Sequence, residues 1–114
     1  MPIPPAFAAD LAQELPPADY LRVLELFRID MVRLTGEVEA AARAGRHEAL
    51  RRAAHGLAGA AGAVGATELD TACRSIMRRK DAELDLADSA HTIRHLADTT
   101  LNNLDLAIAQ ARAA

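Results

Sequence analysis

His55 is the residue whose type and setting could support chemistry in this chain. It lies in the run Arg51–Leu69, RRAAHGLAGAAGAVGATEL, which is rich in alanine and glycine. A neutral imidazole has one ring nitrogen with a free lone pair, and that nitrogen can act as a nucleophile. Arg51 and Arg52 precede the histidine by about one helical turn, so two cations lie beside it.

Three glycines follow the histidine inside the same predicted helix, at Gly56, Gly59 and Gly62. An interior glycine costs a helix about 1 kcal/mol relative to alanine, so three cost about 3 kcal/mol. That is a large part of the stability of a small domain. The glycines therefore serve something other than the stability of the helix.

A helical wheel separates His55 from the apolar side of its helix. At about 100° per residue, one apolar stripe points away from the histidine; it consists of Leu50, Ala53, Leu57, Ala61 and Val64. The residues within about 60° of His55 are charged or very small; they are Glu48, Arg51, Arg52, Ala58, Gly59 and Gly62. The pattern predicts a histidine on the solvent face, with Gly59 leaving the imidazole open to a partner.

These residues allow two interpretations of His55. It is either an incidental surface histidine or a nucleophile that a second protein must reach. The cleared surface and the two adjacent arginines favour the second interpretation without excluding the first.

The composition limits the class of protein. A chain of 114 residues with a formal net charge of −3 suits one domain, residues 1–114, and its charge is not typical of a nucleic-acid-binding protein. A single cysteine, Cys73, rules out a disulfide within the monomer and fits a reducing compartment. We expect no secretory signal in the opening MPIPPAFAAD and no apolar run long enough to span a membrane. The expectation is a cytoplasmic protein, and nothing demands a dimer.

Apolar periodicity predicts five helices, and the short links between them favour antiparallel neighbours. The predicted fold is all-α: an up-down-up-down four-helix bundle over residues 17–111, with a short helix in 1–16 that caps one end. Gly45 and Gly65 are predicted to end helices, with Thr67 as the following N-cap. The predicted helices cover 3–15, 17–44, 47–64, 68–79 and 85–111.

Two further patterns have ordinary explanations. His91 and His95 have the spacing of helical zinc ligands, but a third ligand and the glutamate of an HExxH motif are missing, so we predict no metal site. Arg78, Arg79 and Lys80 form a short cationic run of the kind that often ends a helix, rather than a nucleic-acid contact.

The run Ala54-His55-Gly56-Leu57-Ala58-Gly59-Ala60-Ala61, followed by Val64-Gly65-Ala66 and Leu69, resembles the signature of histidine-containing phosphotransfer (HPt) domains. That signature reads approximately AHxLKGxAxxxGAxxL. Cys73 also takes the place of an inward cysteine that is common in the family. The resemblance extends from about residue 19 into the last helix and suggests a free-standing HPt domain.

The resemblance implies a function. HPt domains accept a phosphoryl group from a receiver-domain aspartate and pass it to another receiver. They are stoichiometric carriers rather than enzymes, they have no ATP site, and the receiver brings Mg²⁺ and most catalytic groups. By position, His55 would be phosphorylated and Gly59 would let the receiver approach. The implied partners are response-regulator receivers, a hybrid histidine kinase, or both.

One departure from the family pattern matters for the site. The family usually has a lysine three residues after the histidine, beside the phosphoryl group, and this chain has Ala58. Either Arg51 or Arg52 supplies the positive charge instead, or transfer is slow or lost.

The leading hypothesis is therefore a phosphoryl carrier in a multistep His-Asp relay. The alternative is a pseudo-HPt adapter that binds a receiver or kinase without transfer. The dimerising domain of a histidine kinase fits less well, because those domains usually carry an acidic residue where this chain has Gly56, and no ATP-binding domain is present in the sequence. A purely structural helical bundle is the remaining possibility.

Overall fold

The computed structural model describes residues 3–114, which form helices and connecting turns without any β-strand. This confirms the all-α prediction, although the first two residues of the predicted domain lie outside the described part. No helix in the described part is both long and apolar enough to cross a membrane. The helices are α1 (Ala9–Glu14), α2 (Pro17–Arg43), α3 (His47–Val64), α4 (Thr67–Arg78) and α5 (Leu86–Ala113), with a 3₁₀ turn at Asp81–Glu83.

The four longer helices enclose one core. α2 packs against α3 and α5, and α4 packs against the same two helices, so each long helix has two main neighbours. Two ion pairs join the outer surfaces of α2 and α5: Arg28 pairs with Asp105, and Glu39 pairs with Arg94. Large side chains at three- and four-residue spacing fill the interior; the most deeply buried include Leu24, Met31, Leu50, Leu57, Ile93 and Leu104.

Two glycines end successive helices, Gly45 after α2 and Gly65 after α3. Gly45 and Gly65 have φ of 68° and 74°, a left-handed conformation that glycine adopts without steric cost. The Ala66 N–H donates to the Ala61 carbonyl at 2.8 Å, which closes the end of α3. The predicted bounds of α3 are confirmed. The prediction of Thr67 as N-cap is wrong by one residue, since Ala66 occupies that position and Thr67 begins α4.

The N-terminal segment forms less helix than predicted. The pattern predicted a helix over 3–15, but α1 begins only at Ala9, and Ala8 has a left-handed φ of 55°. The reason is a tertiary contact: the Ala8 N–H donates to the Val64 carbonyl at 2.8 Å. Phe7 is buried next to this bond. The chain therefore bends to cover the end of α3 before it can begin a helix.

Candidate functional site

His55 lies near the middle of α3 and is exposed, while Ala54 and Leu57 beside it in sequence are buried. The apolar stripe predicted on the opposite side of the helix is fully inside the core. α3 is therefore anchored along its whole length, and the imidazole projects from a rigid element.

The imidazole lines an open surface depression of about 340 Å³ together with Glu48, Arg51, Arg52 and Met77. Four of these residues come from α3 and one comes from α4. The site therefore lies along the seam between these two helices. Both predicted arginines are brought to the histidine, and Met77 is a neighbour that the sequence did not reveal.

Arg51 is already occupied by bonds within the fold. Its guanidinium donates to the Arg79 carbonyl at 2.8 Å and pairs with Asp81 at 2.6 Å, with a longer contact to Glu48 at 3.5 Å. Only 16% of its side chain is exposed. Arg51 therefore joins α3 to the segment after α4, and its charge is largely balanced before any phosphate arrives.

Arg52 differs from its neighbour. It is exposed, and within residues 3–114 it takes part in no ion pair or side-chain hydrogen bond. It shares the depression with His55 at a separation of about one helical turn. Of the two predicted cations, Arg52 is the one available to a new anion.

The three glycines of α3 have different surroundings. A Cβ added to Gly56 would come within 3.1 Å of the Leu34 side chain, so this glycine lets α2 and α3 pack closely. At Gly62 the added atom would lie 3.5 Å from the Asp70 carboxylate, an ordinary contact. At Gly59 the added atom would have no atom of another helix or side chain in residues 3–114 within 4 Å. Packing within the described fold therefore does not account for Gly59.

Ala58 is not where the helical wheel placed it. The wheel put it on the solvent face near the histidine, but it is only 1% exposed. The physical reason is that α3 packs against both α2 and α4, so the buried arc is wider than one apolar stripe. Ala54 and Ala60 are buried for the same reason.

An exposed apolar stripe lies on the outer side of α2. Leu26, Ile29 and Val32 are 55%, 63% and 47% exposed, although each is large and hydrophobic. Their three-residue spacing places them along one side of the helix. Large apolar side chains exposed on one side of a helix are available for contact with a partner protein.

The other candidate reactive groups are less suited to chemistry. Burial raises the pKa of the Cys73 thiol to about 12, so almost no thiolate is present at neutral pH. His91 and His95 are exposed on α5, and no three metal-ligating side chains cluster anywhere in residues 3–114.

Comparison with protein families gives a single clear result. A family model described as "Hpt domain" matches residues 22–114, which include all of the depression around His55. Searches of curated proteins and of solved structures give no match.

Proposed function

Because the chain belongs to the Hpt domain family, we propose that it carries a phosphoryl group between receiver-domain aspartates through phospho-His55. Hpt domains act in His-Asp phosphorelays as carriers rather than as conventional enzymes, and their partners are receivers and kinases. The observation that supports His55 as the carrier is its exposure on a rigid helix, beside Gly59 and an arginine that has no carboxylate partner within residues 3–114.

The proposed step needs little from this chain beyond a positioned nucleophile. The lone pair of one ring nitrogen, Nε2 by family resemblance, attacks the phosphorus of an aspartyl phosphate on the receiver. A P–N bond forms while the P–O bond to the carboxylate breaks, and the carboxylate leaves with the electron pair. The ring then loses a proton to solvent. We propose that the receiver supplies Mg²⁺, because transfer depends on positioning and on stabilising the phosphoryl oxygens.

We propose that Arg52 takes the role that a lysine usually has in this family. It lies in the same depression as His55 and has no carboxylate to balance it within residues 3–114. A charge-assisted hydrogen bond from its guanidinium would stabilise the phosphoryl oxygens. In this proposal Gly59 and Gly62 give the receiver access to the imidazole, while Arg51 has a supporting role.

The same proposal includes the arrangement of the helices. Arg28, early in α2, pairs with Asp105, late in α5, and Glu39, late in α2, pairs with Arg94, early in α5. This reversed order supports an antiparallel, up-down-up-down bundle of α2–α5 within a single domain.

The experiment measures transfer of radiolabelled phosphate to this protein from receiver domains that have been phosphorylated with radiolabelled acetyl phosphate. We expect acid-labile, alkali-stable label on the wild-type protein and none on His55→Gln. His91→Gln is the matched control, because it removes another exposed helical histidine and should keep the label. Label that persists in His55→Gln would exclude His55 as the carrier.

A specific observation supports a second candidate function, a pseudo-Hpt adapter. The position of the usual lysine is a buried methyl group, and the exposed stripe on α2 offers a contact that needs no phosphate. If the protein is an adapter, the wild type should acquire no label, and the His55→Ala variant should bind a receiver as tightly as the wild type does. Titration of an unphosphorylated receiver with both proteins, alongside the transfer assay, separates the two functions.

A further inference from the structure

The cations of this chain fall into two groups. Six arginines pair with carboxylates: Arg28, Arg94 and Arg112 link α2 with α5, and Arg33, Arg51 and Arg74 have partners elsewhere. The cations without a carboxylate partner in residues 3–114 almost all lie where α2 and α4 end and α3 begins. They are Arg43, Arg46, Arg52, Arg78, Arg79 and Lys80, with Arg22 as the exception elsewhere.

Helix ends explain only part of this clustering. Cations are favoured at the C-terminus of a helix, where the macrodipole is negative, and Arg78 is the last residue of α4. Arg79 is the C-cap of α4 and Lys80 follows it, so the same field favours them, but the dipole of α3 disfavours a cation at its N-cap, Arg46. The side chains of Arg78, Arg79 and Lys80 are exposed. We call residues 78–80 the basic connector.

The basic connector is held beside His55. Arg51, on the turn of α3 that precedes the histidine, donates to the Arg79 carbonyl at 2.8 Å and pairs with Asp81 at 2.6 Å. Met77, the residue before the connector, lines the same depression as the imidazole. The backbone of the basic connector is therefore fixed to the turn of α3 that precedes His55. Its three side chains are exposed, and Arg79 also lines a separate depression with Asp88 of α5.

We propose that the basic connector is an electrostatic docking surface for the acidic, phosphoryl-bearing face of the partner receiver. This inference rests on the proposed function. The chain has a formal net charge of −3 and must approach an aspartyl phosphate, which is itself anionic. A local cluster of cations offsets that repulsion and guides the encounter. It acts on association and leaves the transfer step within the complex unchanged.

The test compares two triple variants that each lose three positive charges. One is Arg78→Gln/Arg79→Gln/Lys80→Gln, in the basic connector. The matched control is Arg28→Gln/Arg94→Gln/Arg112→Gln, on the α2–α5 side. Circular dichroism and thermal unfolding establish that both variants are folded. Transfer is then measured from a radiolabelled receiver, over a range of receiver concentrations and at low and high salt.

We expect the connector variant to lose about tenfold in transfer efficiency at low salt, with an unchanged maximal rate at saturating receiver. The difference from wild type should shrink at high salt, where charges are screened over a few ångströms. The control should stay close to wild type. Equal slowing of both variants would overturn the proposal, because net charge alone would then explain it. A loss confined to the maximal rate would also overturn it.

Two other outcomes are distinguishable. If wild-type protein acquires no label on His55 at any salt concentration, the proposed function fails and the docking surface fails with it. If wild type transfers normally, the connector variant also transfers normally, and only binding of a fluorescent single-stranded DNA is lost, the surface serves a polyanion and this proposal is wrong.

Discussion

Substitution of Gly59 separates the stability of α3 from access to His55. The residue lies inside α3, is exposed, and would accept a Cβ with no described atom within 4 Å. Alanine there should therefore gain the intrinsic helix preference, about 1 kcal/mol. For a domain of this size the gain corresponds to a rise in Tm of about 4 °C.

Gly36 provides the matched control. It lies inside α2, is exposed, and likewise has no described atom within 4 Å of an added Cβ. Gly36→Ala should raise Tm by a similar amount and leave phosphotransfer unchanged. Differential scanning calorimetry and urea unfolding of the two single variants and the double variant test whether the gains add.

The functional half of the prediction uses a larger side chain. Gly59→Gln should keep most of the gain in stability, because glutamine is a good helix former. It should also slow transfer to His55 by about tenfold, since its side chain occupies the space that a receiver must enter; tenfold corresponds to about 1.4 kcal/mol of lost docking. Gly36→Gln should not slow transfer. A lower Tm for Gly59→Ala, or full transfer by Gly59→Gln, would refute the reasoning.

Three further predictions concern stability. Gly65→Ala should destabilise the fold by about 1–2 kcal/mol, because φ is 74° and the new Cβ would lie 3.1 Å from the Ala6 carbonyl oxygen; an unchanged urea midpoint would contradict this. Burial raises the pKa of the Cys73 thiol from 9.0 to about 12. The buried neutral thiol therefore contributes its full stabilisation below pH 9.0, and this is lost as the pH rises towards 12. The Cys73→Ala variant should not show this alkaline loss when its unfolding is measured against pH. The Arg94 hydrogen bond lowers the pKa of Glu39 below 4.5, so the ion pair stabilises the fold above pH 4.5, by at most about 1 kcal/mol, and this stabilisation is lost as the pH falls through the lowered pKa. The Glu39→Gln variant should therefore lose less stability in acid than the wild type. An identical dependence of stability on pH in the two proteins would count against the pair.

The parts of the fold that depend on local chemistry could be predicted from the sequence. The bounds of α3 follow from Gly45, Gly65 and an apolar stripe, and all of these act within a few residues of one another. The exposure of His55 follows from the same periodicity. These features needed no knowledge of the neighbouring helices.

The site's neighbours depend on how α3 meets α4, and no local pattern encodes that meeting. The wheel could not show that Ala58 would be covered, because it assumed a single buried stripe. It placed Arg51 and Arg52 as equals, yet Arg51 is held by Asp81, thirty positions further along the chain. Met77 gave no signal beyond an apolar residue following Ile76. The start of α1 was also missed, since the turn at Ala8 forms to meet α3.

The hydrogen bond from Ala8 to the Val64 carbonyl bears on what length of chain can fold by itself. A fragment beginning at residue 22, where the family match starts, would lack this donor and the Phe7 side chain buried next to it. Water would then reach a carbonyl and apolar surface that are now covered, and the lost hydrogen bond alone would cost about 0.5–1.5 kcal/mol. Contacts that stabilise the end of α3 therefore come from before the family boundary, and truncation for crystallisation or fusion should leave residues 3–21 in place.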